Sequence, residues 1–288
     1  MTNAIAIHGY AVAATSTLPA SAPLAPTSLA NELPAWYTDV APLPRKYQRF
    51  GGRVAAEAVA AVEKALAMAE IEPQQFDQRF GLYTSQAGFQ HSDLDDYHQG
   101  FSQATDEAPL YDTLWNSKAV NPFLAIKGLS NNLMGLISVL WEIRGDCSAF
   151  LRDQSGAMAA LSEACFQLQA GYIDAALVVM SGTACDQLEA TISADNALSE
   201  ENALLAGQGA VALVLGRQTD TDSLPLLSEL EVRSGTNAEP TSAPRWGGIL
   251  YSIAEQLAIS NTQQQNTTIH SQDSYGNQAQ VRLTTPSL

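Results

Sequence analysis

The chain has 288 residues and a formal net charge of −16, with 46% apolar and 15% charged residues. This balance favours a large buried core and an apolar subunit interface. The acidic charge argues against nucleic acid or an anionic membrane surface as a partner. No apolar run is long enough to span a bilayer, and the N-terminus lacks the basic and apolar regions of a secretory signal.

The three cysteines, Cys147, Cys165 and Cys185, include no metal-binding pair. An odd number of cysteines without a secretory signal is typical of reduced thiols in the cytoplasm. The sequence therefore predicts a cytoplasmic protein with neither a metal site nor a cofactor.

The first part of the chain alternates between strand and helix patterns. Residues 4–12 and 81–85 are short apolar runs that predict strands. Between them, residues 47–69 have the periodicity of one long amphipathic helix.

The stretch from residue 121 to residue 182 has the clearest succession of helix and strand patterns in the chain. Its patterns predict helices at 131–143 and 154–170, and strands at 147–151 and 175–180. Helices and strands in this order predict right-handed crossovers in a layered α/β domain.

The remainder of the chain predicts a second, shorter unit. A strand at 207–215 completes five strands, and a polar linker covers 216–225. The elements predicted after the linker are a strand at 226–233, a helix at 247–260 and a short strand at 267–271. The predicted halves are therefore residues 1–216 and residues 226–288.

The central stretch resembles the β-ketoacyl synthases, the condensing enzymes of fatty acid and polyketide synthesis, which have a thiolase-type fold. In that family an Arg-Gly pair leads through a strand to a nucleophilic cysteine, which opens a buried helix nine positions after the glycine. Here the same count from Gly145 reaches Gln154, and Gly171, seventeen positions further on, again matches the family spacing. The resemblance implies an α/β, thiolase-like layered α-β-α-β-α fold with a complete N-terminal half and a truncated C-terminal half.

The second half departs from this family. There, a strand ends in a catalytic histidine that precedes a Gly-Thr run and an Asn-Asp pair. His270 and Asn277 keep that spacing, but the Gly-Thr run is absent, and the later lysine and second histidine have no counterpart. We therefore expect His270 and Asn277 to be vestiges of a catalytic site.

Gln154 decides the activity that the resemblance implies. A helix N-terminus lowers the pKa of a cysteine and yields a thiolate that accepts an acyl group from a carrier thioester. A glutamine amide only donates and accepts hydrogen bonds. The replacement resembles the chain length factors, the inactive subunits of heterodimeric ketosynthases. The local alternative is an ordinary early helix residue with Asp153 as the N-cap.

The resemblance also implies partners and surfaces. An active β-ketoacyl synthase would supply the catalytic residues for polyketide, polyene or fatty acid synthesis, and an acidic acyl carrier protein would dock mainly on that partner. The strand that would pair with the partner consists of Cys147, Ser148, Ala149, Phe150 and Leu151. The side chains predicted to line or close the acyl tunnel, each also compatible with plain core, are Leu133, Met134, Phe150 and Met158.

Two other functions remain open at this point. A malonyl-carrier decarboxylase would use the amide at the acyl position and an oxyanion pocket, with His270 as donor. A variant of that enzyme would use Cys185 as nucleophile with His270. A scaffold that binds a carrier protein or another enzyme, without shaping a tunnel, explains the lost motifs equally well.

Overall fold

A computed structural model of the chain describes residues 4–15, 37–49, 51–52, 54–86, 102, 124–127, 129–151, 153–183, 208–218, 223–235, 247–259, 265–273 and 276–286. The elements before the central stretch are β1 (Ile5–Thr15), β2 (Tyr37–Thr38), α1 (Arg45–Gln48), α2 (Ala55–Ala69), a 3-10 helix (Pro73–Arg79) and β3 (Phe80–Gln86). The central stretch contains α3 (Leu124–Lys127), α4 (Asn132–Leu140), β4 (Cys147–Leu151), α5 (Asp153–Gln169) and β5 (Ala175–Thr183). The elements that follow are β6 (Gln208–Arg217), β7 (Leu226–Arg233), α6 (Gly248–Ile259), β8 (Gln265–Gln272) and β9 (Gln278–Thr285).

The described strands form one mixed sheet in the order β4-β3-β5-β6-β1-β7-β9-β8, with the short β2 paired beside β1. The strands β4, β3 and β5 are parallel, whereas β6 is antiparallel to both β5 and β1. The two parts of the sheet are joined by only two paired positions, at which Ile5 and Ala6 of β1 lie opposite β7.

The inner strands of the first half are buried on both faces. Eight consecutive residues of β6 are buried. Leu177 and Val214 pack in a cluster with α2 and α4, whereas Val178 and Leu213 pack in a second cluster with α5 and α6. The continuous apolar runs that predicted these strands therefore reflect helices on each side of the sheet.

The strands of the second half alternate instead. Ile269 of β8 and Val281 of β9 are buried against the cluster that holds α5 and α6. On the opposite face, Thr268, His270 and Arg282 are exposed. The described residues thus form four of the five predicted layers, and the outer face of β8 and β9 carries polar side chains.

The two halves repeat one pattern of pairing. In the first, the opening strand β1 is antiparallel to the closing strand β6, which is antiparallel to the penultimate strand β5. In the second, β7, β9 and β8 pair in the same way. By this comparison α6 is the counterpart of α5 because each precedes the penultimate strand. The second half has no described counterpart of β3 and β4.

The structure corrects two sequence predictions. The helix predicted at 47–69 is divided into α1 and α2 because a Gly51-Gly52 pair lies between them, and glycine is a poor residue for a helix interior. Strand β9 was missed, although the alternation in Gln278–Thr285 is typical of a half-buried strand. The layered α/β fold is confirmed, while the division at residues 216 and 226 stays a prediction.

Candidate functional site

The candidate site lies at the N-terminus of α5, where the first N–H groups of a helix have no partner within the helix. Helix α5 begins at Asp153, directly after β4, and Gln154 is its second residue. Gly156 brings the helix close to the sheet, since a Cβ atom at this position would lie 2.2 Å from Ser85 Oγ and 2.6 Å from the Leu151 carbonyl oxygen. Gln154 and Ser155 remain partly exposed.

A buried acidic side chain from the second half reaches this helix end. Asp273 follows β8 and is 1% exposed. It accepts a hydrogen bond from Ser155 Oγ. It also accepts bonds from the backbone N–H of Asn277 at 2.8 Å and from Asn277 Nδ2 at 2.7 Å. Three donors around one carboxyl group match a carboxylate, which only accepts hydrogen bonds.

The beginning of α6 lies directly against Gln154. Gly248 opens this helix with a φ of +48°, a conformation that favours glycine. A Cβ atom on Gly248 would lie 3.2 Å from both Cβ and Cγ of Gln154. The first residues of α5 and of its counterpart α6 therefore meet at position 154.

The described thiols do not supply a nucleophile here. Cys147 lies on β4, and its thiol pKa is raised by burial and by the neighbouring Asp146. Cys165 lies in the last turns of α5, and burial raises its thiol pKa to about 12. Cys185 lies outside the described residues.

The two predicted vestigial residues are separated by the sheet. Asn277 lies beside Asp273 at the candidate site. His270 is exposed on the outer face of β8, where it shares a surface depression with Glu231, Arg233 and Gln280. His8, the other described histidine, lies beside Gly216 at the end of β6. Neither described histidine accompanies Gln154.

The four predicted tunnel residues fall into two groups. Met158, 1% exposed, and the half-buried Phe150 pack on the α5 side of the sheet. Leu133, 3% exposed, and the half-buried Met134 pack on the α4 side. The structure therefore brings Phe150 and Met158 into one cluster but not all four side chains.

The predicted pairing strand is at the edge of the sheet. Within the described part of the chain, β4 pairs only with β3. Cys147, Ser148, Ala149 and Phe150 are half-buried, and Leu151 is 42% exposed. An edge strand presents backbone N–H and C=O groups that another strand can pair with.

Sequence reasoning missed Asp273 and Gly248, the two residues that contact the start of α5 from the second half. A signal for the turn was present because Asp273, Gly276 and Asn277 are turn-forming residues between two alternating segments. The approach of Gly248 to Gln154 joins residues 94 positions apart, and no local pattern marks it.

Comparison with known proteins identifies the family. The model of the β-ketoacyl synthase N-terminal domain matches residues 44–221. The chain therefore belongs to the β-ketoacyl synthase family, and the thiolase-like fold is confirmed. None of the curated proteins matches the chain.

Several solved structures share this fold at low sequence identity. The ishigamide ketosynthase/chain length factor is 15% identical with a TM-score of 0.66, and the match covers 98% of this chain and 99% of that one. A structure described as the AntDE:AntF type II PKS acyl-carrier protein in complex with its ketosynthase, bound to the hexaketide, is 12% identical with a TM-score of 0.64, over 99% of each chain. A β-ketoacyl synthase from Burkholderia phymatum STM815 is 11% identical with a TM-score of 0.63, over 98% of this chain and 99% of that one.

Among the helices that the structure describes, none has the length and apolar character needed to cross a membrane.

Proposed function

We propose that this chain is a non-catalytic subunit of the chain-length-factor type, which forms a cytoplasmic heterodimer with an active β-ketoacyl-ACP synthase. The observation that carries the proposal is Gln154 as the second residue of α5. By the family spacing, an amide there would replace the nucleophilic thiol of a condensing enzyme. The amide forms no acyl-enzyme, because it lacks a nucleophile comparable to a thiolate. A partner would have to supply the thiolate and the histidines.

The edge strand β4 supports the choice of interface. Its half-buried side chains and the exposed Leu151 suit pairing with the equivalent strand of a related subunit. Helix α4 packs beside this edge and exposes Val139, which is 62% exposed. Pairing through β4 would continue the sheet into the partner and cover this apolar surface.

We assign the tunnel role mainly to Phe150. Its side chain is half-buried on the α5 side of the edge strand, in the same cluster as Met158. A side chain in this position would reach the interface and limit the depth of an acyl tunnel there. Leu133 and Met134 lie on the other side of the sheet, so their contribution would be to support α4.

An acyl carrier protein would deliver the growing chain, which could lead to a polyketide, a polyene or a fatty acid. The net charge of −16 disfavours direct docking of an acidic carrier on this subunit. We therefore propose that the carrier docks mainly on the active partner.

The test is co-expression with a candidate β-ketoacyl synthase from the same genome, followed by co-purification and product analysis. In the complex, Phe150→Ala is expected to lengthen the product because it removes apolar volume near the interface. Val232→Ala, at a residue that is 44% exposed on β7, is the matched control and should leave product length unchanged.

Each alternative function has its own outcome in this test. Unchanged product length in a retained Phe150→Ala complex would favour a scaffold without a tunnel role. Release of carbon dioxide from a malonyl carrier thioester by the isolated chain would favour a decarboxylase. Failure to co-purify with any ketosynthase would contradict the heterodimer.

A further inference from the structure

Two residues of the second half contact the position that a substrate of a condensing enzyme would have to reach. Gly248 contacts Gln154 from the start of α6. Asp273 contacts Ser155, the next residue of α5, and it is 1% exposed. Both contacts involve the start of α5, and the one between Asp273 and Ser155 does not use the Gln154 side chain, so replacing Gln154 alone would leave it in place.

The bonds of Asp273 hold it in this place. Asn277 donates two hydrogen bonds to it, and the backbone N–H of Asp273 donates to the Asn277 carbonyl oxygen at 3.0 Å. The Asn277 side chain in turn accepts a bond at 2.8 Å from the backbone N–H of Gly235, which follows β7. The acidic group is thereby fixed from both β9 and the end of β7.

Asp273 also changes the electrostatics of the helix end. A helix N-terminus stabilises one negative charge well, and this is why it favours a thiolate. Here the Asp273 carboxylate already accepts a hydrogen bond from Ser155, the third residue of α5. A thiolate formed at position 154 would be close to a like charge, and like charges disfavour ionisation.

We propose that Asp273, fixed by Asn277, and the close approach of Gly248 together make the former nucleophile position unsuited to a reactive thiolate, so that a cysteine restored there would remain unreactive. The inference deepens the proposed non-catalytic function and rests on it. Inactivity would then be built into the second half of the fold and would not depend on Gln154 alone.

The experiment compares the full-length wild type with Gln154→Cys, Gln154→Cys/Asp273→Ala and Gln154→Cys/Asp273→Asn. Each protein is treated at neutral pH with iodoacetamide and, separately, with an octanoyl thioester. Peptide mass spectrometry then separates modification of residue 154 from that of the native cysteines. Gln154→Cys/Gln278→Ala is the control because Gln278 is an exposed residue of the same hairpin.

Gln154→Cys alone is expected to remain unacylated. Removing Asp273 should accelerate alkylation at residue 154 by about tenfold, the change that one unit of thiol pKa produces. The Asn variant keeps the size of the side chain and an acceptor for Ser155, and it should also be faster than Gln154→Cys. If the Ala variant fails to fold, the Asn variant decides the question.

Equal alkylation rates in Gln154→Cys and in both Asp273 variants would overturn the inference. Ready acylation of Gln154→Cys would also overturn it. So would a Gln154→Cys/Gln278→Ala variant whose alkylation at residue 154 is accelerated as much as that of the Asp273 variants. These results leave the non-catalytic role of the natural chain intact. An acyl adduct on the wild type would instead contradict the proposed function itself.

Discussion

The position of α5 against the sheet can be tested with one methyl group. In Gly156→Ala, the added Cβ atom would lie 2.2 Å from Ser85 Oγ and 2.6 Å from the backbone oxygen of Leu151. The serine side chain can rotate, but the carbonyl oxygen belongs to β4 and cannot move without shifting the strand. Overpacking of this kind costs up to about 3 kcal/mol, whereas alanine is preferred over glycine in a helix by about 1 kcal/mol. The expected net loss is about 2 kcal/mol.

Gly135→Ala in α4 is the matched control because a Cβ atom there has no described neighbour within 4 Å. It should gain the helix preference of about 1 kcal/mol without a clash. In a chain of this size, Gly156→Ala should lower the melting temperature by about 3 °C, and Gly135→Ala should raise it by about 1 to 2 °C.

The assay is thermal unfolding of the purified variants, followed by circular dichroism at two protein concentrations. The opposite signs of the two shifts are the result that matters. A melting temperature for Gly156→Ala at or above that of the wild type would refute the close packing of α5 on β3 and β4. It would also remove the basis for placing Gln154 beside the sheet edge.

Three further predictions concern stability and reactivity. Asp174→Asn should destabilise the protein at neutral pH, because hydrogen bonds from Arg79 and Arg217 hold the Asp174 pKa below its ordinary value of 3.8. The difference should shrink as the pH falls below 3.8 and should disappear only below the lower folded-state pKa, which urea unfolding at several pH values measures. Cys165 should resist iodoacetamide at pH 8 until the chain unfolds, because burial raises its thiol pKa to about 12. Modification of Cys165 in the native protein would contradict its buried placement. Gln86→Ala should lower the free energy of unfolding in urea by about 2 kcal/mol, because the Gln86 amide donates to Leu129 O at 2.5 Å and accepts from the Leu133 N–H at 2.9 Å. An unchanged free energy of unfolding would mean that water replaces these two hydrogen bonds.

The sequence predicts the first half of the fold well because local and global signals agree there. The strand Cys147–Leu151 and the helix that follows were predicted to within one residue. Double-sided burial gives β5 and β6 continuous apolar runs, which are easily recognised. The break between α1 and α2 was harder to predict, because the apolar periodicity continues through Gly51 and Gly52.

The second half was predicted less completely, for a physical reason. Motif spacing placed His270 near a former catalytic site, but spacing along a chain does not determine the face of a strand. The alternation of apolar and polar residues along β8 determines it, and it places Ile269 on the buried face and His270 on the exposed face. Pairing of β8 with β9, next to β7, is a long-range property, and it identifies β8 as the counterpart of β5.

The two halves also differ in what they would require of a partner. An apolar sheet face left exposed would make a covering subunit necessary for stability. Here the outer face of β8 and β9 carries residues such as Thr268, His270 and Arg282, which water solvates readily. At the opposite edge of the sheet, Leu151 of β4 and Val139 of α4 are 42% and 62% exposed. The proposed dependence on a ketosynthase partner would therefore rest on the edge strand β4, where exposed apolar side chains accompany a sheet edge that another strand can pair with.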